Sequence, residues 1–401
     1  MKEGWKTKPF GEILMKTETV NPCLSPEKEF DYIDVSSVSN ETFNIERTQK
    51  LKGKDAPSRA RRLVRTNDIL FATIRPTLKR IAIVPEYLDK QVCSTGFFVL
   101  RPEPEIDHRF VFYSLFTEHF MRQMEGLQKG ASYPAVTDGE IRAQLLSYPS
   151  LPEQHRIVAL LDEAFAGIAT ARANTERNLQ NARAVFESAR EDALAPRRGW
   201  LTSPLGVLCK IKHGFAFKGE FFAESGQFVL LTPGSFYEHG GYRERGEKTK
   251  YYVGEIPPEF ILNEGDMLTA MTEQAAGLLG SPLIVPESGR FLHNQRLGLF
   301  VTTPGKPWFS RFFFHTMNLA RVRKEIHDSG SGAKVRHTSP GRIQSVQVSY
   351  PSTEEEQRAV AKCLDELATE CERLESLYQR KLAALDELKQ SLLHQAFIGE
   401  L

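Results

Sequence analysis

Cysteine is scarce: five in 401 residues (Cys23, Cys93, Cys209, Cys363 and Cys371), none spaced C-x-x-C. An odd, scattered set argues against a disulfide framework or a zinc module and predicts a reducing, cytoplasmic setting. Apolar runs are short. None approaches the roughly 20 residues needed to cross a bilayer, and Met1-Lys-Glu-Gly-Trp5 lacks the apolar segment of a secretory signal. No membrane association is expected. Excess charge is missing too: Lys+Arg 52 against Asp+Glu 51, a net of +1, excludes a uniformly basic coat while leaving room for local patches. Catalytic signatures also fail. Gly214 and Gly219 have phosphate-loop spacing, but Glu220 stands where lysine is required. There is no G-x-S-x-G and no H-E-x-x-H. Asn21-Pro-Cys-Leu24 lacks the second proline and the aromatic of an amino-methyltransferase motif. His213, His239 and His293 have no ligand-spaced partner, so no metal is expected.

What is present is a duplication. Trp5-Lys-Thr-Lys-Pro-Phe-Gly11 returns as Trp200-Leu-Thr-Ser-Pro-Leu-Gly206, and Asp68-Ile-Leu-Phe-Ala72 as Asp266-Met-Leu-Thr-Ala270. Ser147-Tyr-Pro-Ser150 returns as Ser349-Tyr-Pro-Ser352. Gln154 and Leu161-Asp-Glu163 return as Gln357 and Leu364-Asp-Glu366. Four matches in one order at a nearly constant offset are a repeat.

Each copy has two parts. The first predicts strands at Ile69–Ile74, Ile81–Val84 and Phe97–Leu100, and at Ile261–Leu262, Leu283–Val285 and Leu297–Thr302, punctuated by proline and glycine. Phe110–Met124 and Trp308–Ile326 read as helices on those sheets. The second part is one long helix, Pro152 to about Leu194 and Glu354 to about Phe397. Ser150-x-x-Glu153 and Ser352-x-x-Glu355 are capping boxes at the starts, with Pro196 and Gly399 at the ends. Apolar residues recur every seven: Leu364, Cys371, Tyr378, Leu385 and Leu392 with Leu367, Leu374 and Leu388; Val158, Phe165, Leu179 and Phe186 with Leu161, Ile168 and Ala182. Such a stripe suits a coiled-coil seam, weakened at Arg172, Thr175 and Lys381. The fold class is α+β, with β-rich domains over 1–150 and 197–350 and helices over 151–196 and 351–401. At about 1.5 Å per residue, each helix is expected to span about 60 Å.

Positive charge is local. Arg47, Lys50, Lys52, Lys54, Arg59, Arg61, Arg62 and Arg65 are opposed within that run only by Asp55. Arg75, Lys79 and Arg80 follow in a turn-like loop, and Lys129 and Tyr133 in another. In the second copy, Arg245, Lys248, Lys250 and Tyr251 mix cations with aromatics, and Lys334, Arg336 and His337 follow Ser329-Gly-Ser-Gly332. Gln274 and Arg296 have side chains suited to adenine and guanine edges. Charge runs are usually solvated loops. Here their concentration in a balanced chain points to phosphates, so all these residues are candidate DNA contacts.

This order of motifs resembles the specificity subunit of type I restriction–modification systems. The resemblance rests on the W-x-T-x-P-x-G starts and on Pro57-Ser-Arg-Ala-Arg61 leading into Asp68-Ile-Leu-Phe-Ala-Thr-Ile-Arg75-Pro. Cys93-Ser-Thr-Gly-Phe-Phe98 and the pairs Glu153-Gln154 and Glu356-Gln357 complete it. It implies two target-recognition domains and two spacer helices paired as an antiparallel coiled coil. It implies a non-catalytic, DNA-binding chain that reads a bipartite, asymmetric site and holds two methyltransferase subunits and restriction–motor subunits. S-adenosylmethionine, ATP and magnesium would belong to those partners, with no cofactor in this chain. The specificity component of a bifunctional system cutting on both sides of its site, or a coiled-coil scaffold without base readout, are the alternatives. One departure stands out: Met271-Thr-Glu-Gln274 replaces Thr73-Ile-Arg-Pro76, so the two halves are expected to read different sequences.

Overall fold

The computed structural model describes residues 4–130, 132–274, 276–332 and 334–401. The chain divides into two units, Met1–Arg177 with Gln379–Leu401, and Asn178–Tyr378. Each long helix, Leu151–Ala193 and Glu354–Ile398, therefore contributes one part to each unit.

In the first unit, among the described residues, a four-stranded sheet runs Gln49–Lys52, Glu29–Ile33, Val92–Ser94, Ala60–Leu63. A three-stranded sheet runs Ile81–Ile83, Ile69–Ala72, Phe97–Leu100. The second strand set is apolar at every position, and all of Ile69–Ala72 and Phe97–Leu100 is buried, as a sheet covered on both faces requires. The second unit repeats the plan. Cys209–His213, Leu297–Thr302, Met267–Ala270 and Pro282–Ile284 form one sheet, and Phe222–Ala223, Tyr251–Tyr252, Phe228–Leu230 and Phe291–Leu292 another. A parallel strand pairing recurs in each unit, Tyr32 with Val92 and Val229 with Phe291. Ile261–Leu262 contributes only an isolated bridge, Ile261 to Leu292, rather than a strand.

The repeated motifs turn out to be joints. Strand Lys6–Pro9 pairs antiparallel with Leu145–Tyr148, and Leu201–Pro204 with Gln347–Tyr350. The motif threonine faces the motif serine each time: Thr7 Oγ1 to Ser147 Oγ at 2.8 Å, Thr202 Oγ1 to Ser349 Oγ at 2.9 Å. Asp68 accepts the Arg65 N–H and Asp266 the Asn263 N–H, both at 2.8 Å, closing the turn before each central strand. Gln154 is fully buried. Its Oε1 accepts the Asp107 N–H (2.8 Å) while Nε2 donates to the Glu105 and Pro149 carbonyls. Gln357 repeats this with Phe309, Pro307 and Pro351. Asp162 accepts from Arg109 and the Tyr113 hydroxyl, and Asp365 from Arg311 and His315.

Three expectations are corrected. Phe110–Met124 is two helices, His108–Ser114 and Glu118–Leu127, because Thr117 caps a new start by accepting the Phe120 N–H. Trp308–Ile326 likewise splits into Ser310–Met317 and Ala320–Asp328. The second long helix is capped by Thr353, whose Oγ1 accepts the Glu356 N–H at 3.3 Å, one residue later than the Ser352 box. Its far end closes as expected, with Gly399 at φ 83° and the Glu400 N–H returning to the Gln395 carbonyl.

The long helices run antiparallel in both units. In the first, Arg172 reaches Asp386 at 2.5 Å and Arg156 reaches the Leu401 carbonyl; in the second, Arg183 reaches Glu375 at 2.8 Å and Leu194 shares a core with Ala361 and Leu364. The breaks in the stripe behave differently from expectation. Thr175 is buried, its hydroxyl donating to Ala171, and Lys381 lies outside on the exposed face. Leu388 is 47% exposed while Lys389 is half-buried. A straight helix drifts about 20° per heptad against a strict seven-residue repeat. The buried stripe has therefore moved one position along.

Candidate nucleic-acid interface

The Arg47–Arg65 run is not an unopposed patch. Lys52 and Lys54 pair with Glu27 at 3.0 and 3.2 Å, Lys50 with Glu29 at 3.6 Å, Arg62 with Asp138 at 2.7 Å and Arg65 with Glu18 at 3.1 Å. Antiparallel pairing of Glu29–Ile33 with Gln49–Lys52 brings in Glu27 and Glu29, while Glu18 and Asp138 come from other segments outside the run. Exposed pairs of this kind hold little energy, yet they cancel the local field that the sequence count implied. Arg61 turns back to the Ala60 carbonyl and Arg80 to the Val38 carbonyl. Arg59 stays exposed.

What the fold assembles instead is a pair of joined loops in each unit. In the first, the segment after Ala72 meets the loop after Lys129. The Val136 N–H donates to the Thr73 carbonyl (3.0 Å) and the Arg75 N–H to the Pro134 carbonyl (2.7 Å). Arg75 and Lys79 both sit in left-handed backbone, φ 49° and 53°, on either side of the buried Pro76. Left-handed conformations in residues with bulky side chains are strained and persist only where surrounding contacts enforce them. The Arg75 guanidinium donates to the Ser132 carbonyl and lies 5.1 Å from the Tyr133 ring. Tyr133 is 72% exposed. Lys129 pairs with Glu140 at 3.1 Å, its side chain largely in solvent.

The second unit joins the matching loops. Thr272–Glu273 pairs antiparallel with Arg336–His337, and the Thr338 N–H donates to the Met271 carbonyl. Gln274, Lys334 and His337 are exposed beside this junction. Arg336 is not directed outward: it donates to the His327 ring and carbonyl, both at 2.5 Å. Of the remaining candidates, Tyr251 is a half-buried strand residue packed on the core. Lys250 lies over the Phe222 ring, and Arg245 is half-buried against Gly234. Lys248 and Arg296 are exposed. Tyr251 lies in a strand covered on both faces, its ring on one core and Tyr252 in another, and Arg336 is drawn in by His327; a charge run shows neither.

Glu273 escaped sequence reading. It is 3% exposed, and its Oε2 accepts three consecutive N–H groups, from Gly277, Leu278 and Leu279, at 3.0, 3.0 and 2.9 Å. Successive N–H groups converging on one oxygen form an anion-holding nest. The half-buried Arg323 stands by, its guanidinium donating to the Gly277 carbonyl, and burial draws it down to about 10. A lone glutamate in the sequence carries no signal for this; only the split of Met271-Thr-Glu-Gln274 from the first copy pointed to the loop.

Two buried cysteines and one buried histidine are inert by environment. Burial pushes Cys93 and Cys209 up to about 12, so their thiols stay protonated. Burial holds His293 down at about 4, neutral, against the Leu297 carbonyl. Among the described residues no cluster of three or more His, Cys, Asp or Glu could hold a metal, and no helix is long and apolar enough to cross a membrane.

A duplicated α+β chain in which each half joins two loops and takes one part of each long helix has the plan of a two-domain recognition protein. Residues 2–178 match the type I restriction modification DNA specificity domain. A 113-residue segment is 30% identical to the type I restriction enzyme HindI specificity subunit of Haemophilus influenzae, covering 27% of this chain and 24% of that protein. The matched segment thus spans about a quarter of that relative. Along its whole length the chain resembles the HsdS subunit of Thermoanaerobacter tengcongensis in its crystal structure (TM-score 0.70, 25% identity, 98% of that chain). It also matches a chain from a structural study of complex assembly and conformational transition in a type I R-M system (TM-score 0.86, 25% identity, 100% of this chain and 99% of that one). Residues 2–178 thus carry a type I restriction modification DNA specificity domain, and the chain along its whole length has the fold of the HsdS subunit it matches.

Proposed function

We propose that this chain reads a bipartite, asymmetric DNA site, one half-site per β-rich domain, with the long helices as the spacer. It carries out no bond chemistry itself. It positions two methyltransferase subunits on adenines, which must leave the stack to react, and it recruits restriction–motor subunits. S-adenosylmethionine, ATP and magnesium enter with those partners, and the assembly works in the cytoplasm, where the DNA is.

The observation that carries this reading is the repeated loop junction: Thr73 and Arg75 with Pro134–Val136, Met271–Glu273 with Arg336–Thr338. Its architecture is conserved between the halves while its side chains differ, as two readers of different sequence require. Of the sequence candidates, Arg59, Arg75, Tyr133 and Lys129 in the first half and Gln274, Lys334 and His337 in the second remain the best placed for DNA. Co-expression with the methyltransferase subunits, followed by mapping of methylated adenines, tests this. The expected result is one asymmetric motif with two specified halves and an unread gap. A continuous motif, or methylation by the purified chain alone, would overturn it.

A further inference from the structure

Resting on that reading, we infer that the exposed ring pair Tyr237–His239, with Arg243 beside it, is a second contact element for the half-site read by the second domain. The two rings stack at 5.2 Å with an interplanar angle of 17°, and the Arg243 guanidinium lies 5.9 Å from the Tyr237 ring. All three side chains are exposed, Tyr237 at 42%. Tyr237 and His239 lie outside the charge runs and repeated motifs, and Arg243 belongs to the charged stretch Tyr242-Arg-Glu-Arg245.

The pair stands on a held hairpin. Phe236 bridges Tyr242, the Gly241 N–H donates to the Pro282 carbonyl at 2.9 Å, and the Ser281 hydroxyl donates to the Tyr237 carbonyl at 2.6 Å. Gly240, at φ 89°, packs so closely on the helix Ser310–Met317 that a Cβ would lie 2.6 Å from Asn318 Nδ2 and 2.9 Å from the Phe314 ring. Gly241, at φ 94°, faces open space, so the tip has no side chain to hold a ligand off. The hairpin also adjoins the reading loop: Glu238 lies against Gly277, in the segment whose N–H groups Glu273 holds and which begins at Gln274. Two flat rings and a cation, pre-set on a hairpin whose Glu238 lies against the Gly277 loop that follows Gln274, fit a nucleic-acid strand. Aromatic faces accept a base or sugar, the guanidinium a phosphate, and the glutamine an adenine edge.

The matching hairpin of the first domain does the opposite. Val38 bridges Ile45, and its aromatic, Phe43, is turned inward at φ 56° onto Phe116, ring centroids 4.6 Å apart. The element therefore belongs to the second half-site alone.

The test uses the full chain with its methyltransferase subunits and selection of sites from a random duplex pool. Tyr237→Ala with His239→Ala should weaken binding about tenfold, the level of a lost stacking contact, and relax base preference in one half-site only. Tyr237→Phe, which keeps the ring, should retain both. Near-ultraviolet circular dichroism and thermal melting of each variant separate misfolding from lost contact. Unchanged selection and affinity in a folded double variant would overturn the inference, as would loss of the methyltransferase subunits with both half-sites still read. If the wild-type complex selected no bipartite site, the underlying reading of the whole chain would fail instead.

Discussion

Glu273 shows how one buried side chain can fix the shape of a loop. Three N–H groups converge on a carboxylate that is almost wholly buried. Glu273→Ala would leave the buried Leu279 N–H unpaired, at about 1–3 kcal/mol, hand the Gly277 and Leu278 N–H groups to water, and release the fixed shape of Gly277–Leu279. The expected outcome is lost discrimination in the second half-site with the first unaffected, measured by competition between duplexes altered in one half-site at a time. Glu273→Gln keeps an accepting oxygen and should fall between the two. At this scale sequence was a poor guide. Lys50, Lys52 and Lys54 were selected for a charge density that Glu27 and Glu29 offset. Arg75 and Tyr133, from loops far apart in the sequence, do converge.

The long helices are tied to their domains by a device that appears twice. A buried glutamine one turn into each helix completes the carbonyls and the N–H of the loop it enters, and an aspartate two turns later clasps a cation or hydroxyl from the neighbouring short helix. Gln357→Ala would strand the Phe309 N–H and two carbonyls. We expect a loss of about 3 kcal/mol and a fall of about 5–10 °C in the melting of the second unit, read by calorimetry, with Gln154→Ala doing the same to the first. The heptad stripe was legible because burial follows periodicity. Its one-position shift at Lys389 was not, because an eye counting sevens does not follow a helix turning every 3.6 residues.

For the molecule as a whole, the duplication is the organising fact. Each unit closes its own cores and its own terminal strand pair, Lys6–Pro9 with Leu145–Tyr148 and Leu201–Pro204 with Gln347–Tyr350. Each β-rich domain begins and ends on one strand pair, so an exchanged domain keeps its chain connections, and it must supply its own partners for Gln154 and Asp162. Replacing residues 1–150 with the first domain of another family member should change one half-site of the methylated motif and leave the other intact. A change in both halves together would show that the readers are not independent.

Sequence by itself determined the repeat, the α+β class, the two long helices and the joints that hold them, because these rest on local periodicity and on motifs present twice. The tertiary structure alone decided which cations are free. Ion pairing depends on what the sheet brings alongside, and the acids that offset Lys50 and Lys52 come from a neighbouring strand and the turn before it. It also decided that the loops after Ala72 and Lys129, and after Ala270 and Ser329, meet as one surface. Backbone hydrogen bonds between distant segments leave no trace in composition or spacing, since every residue offers the same N–H and C=O.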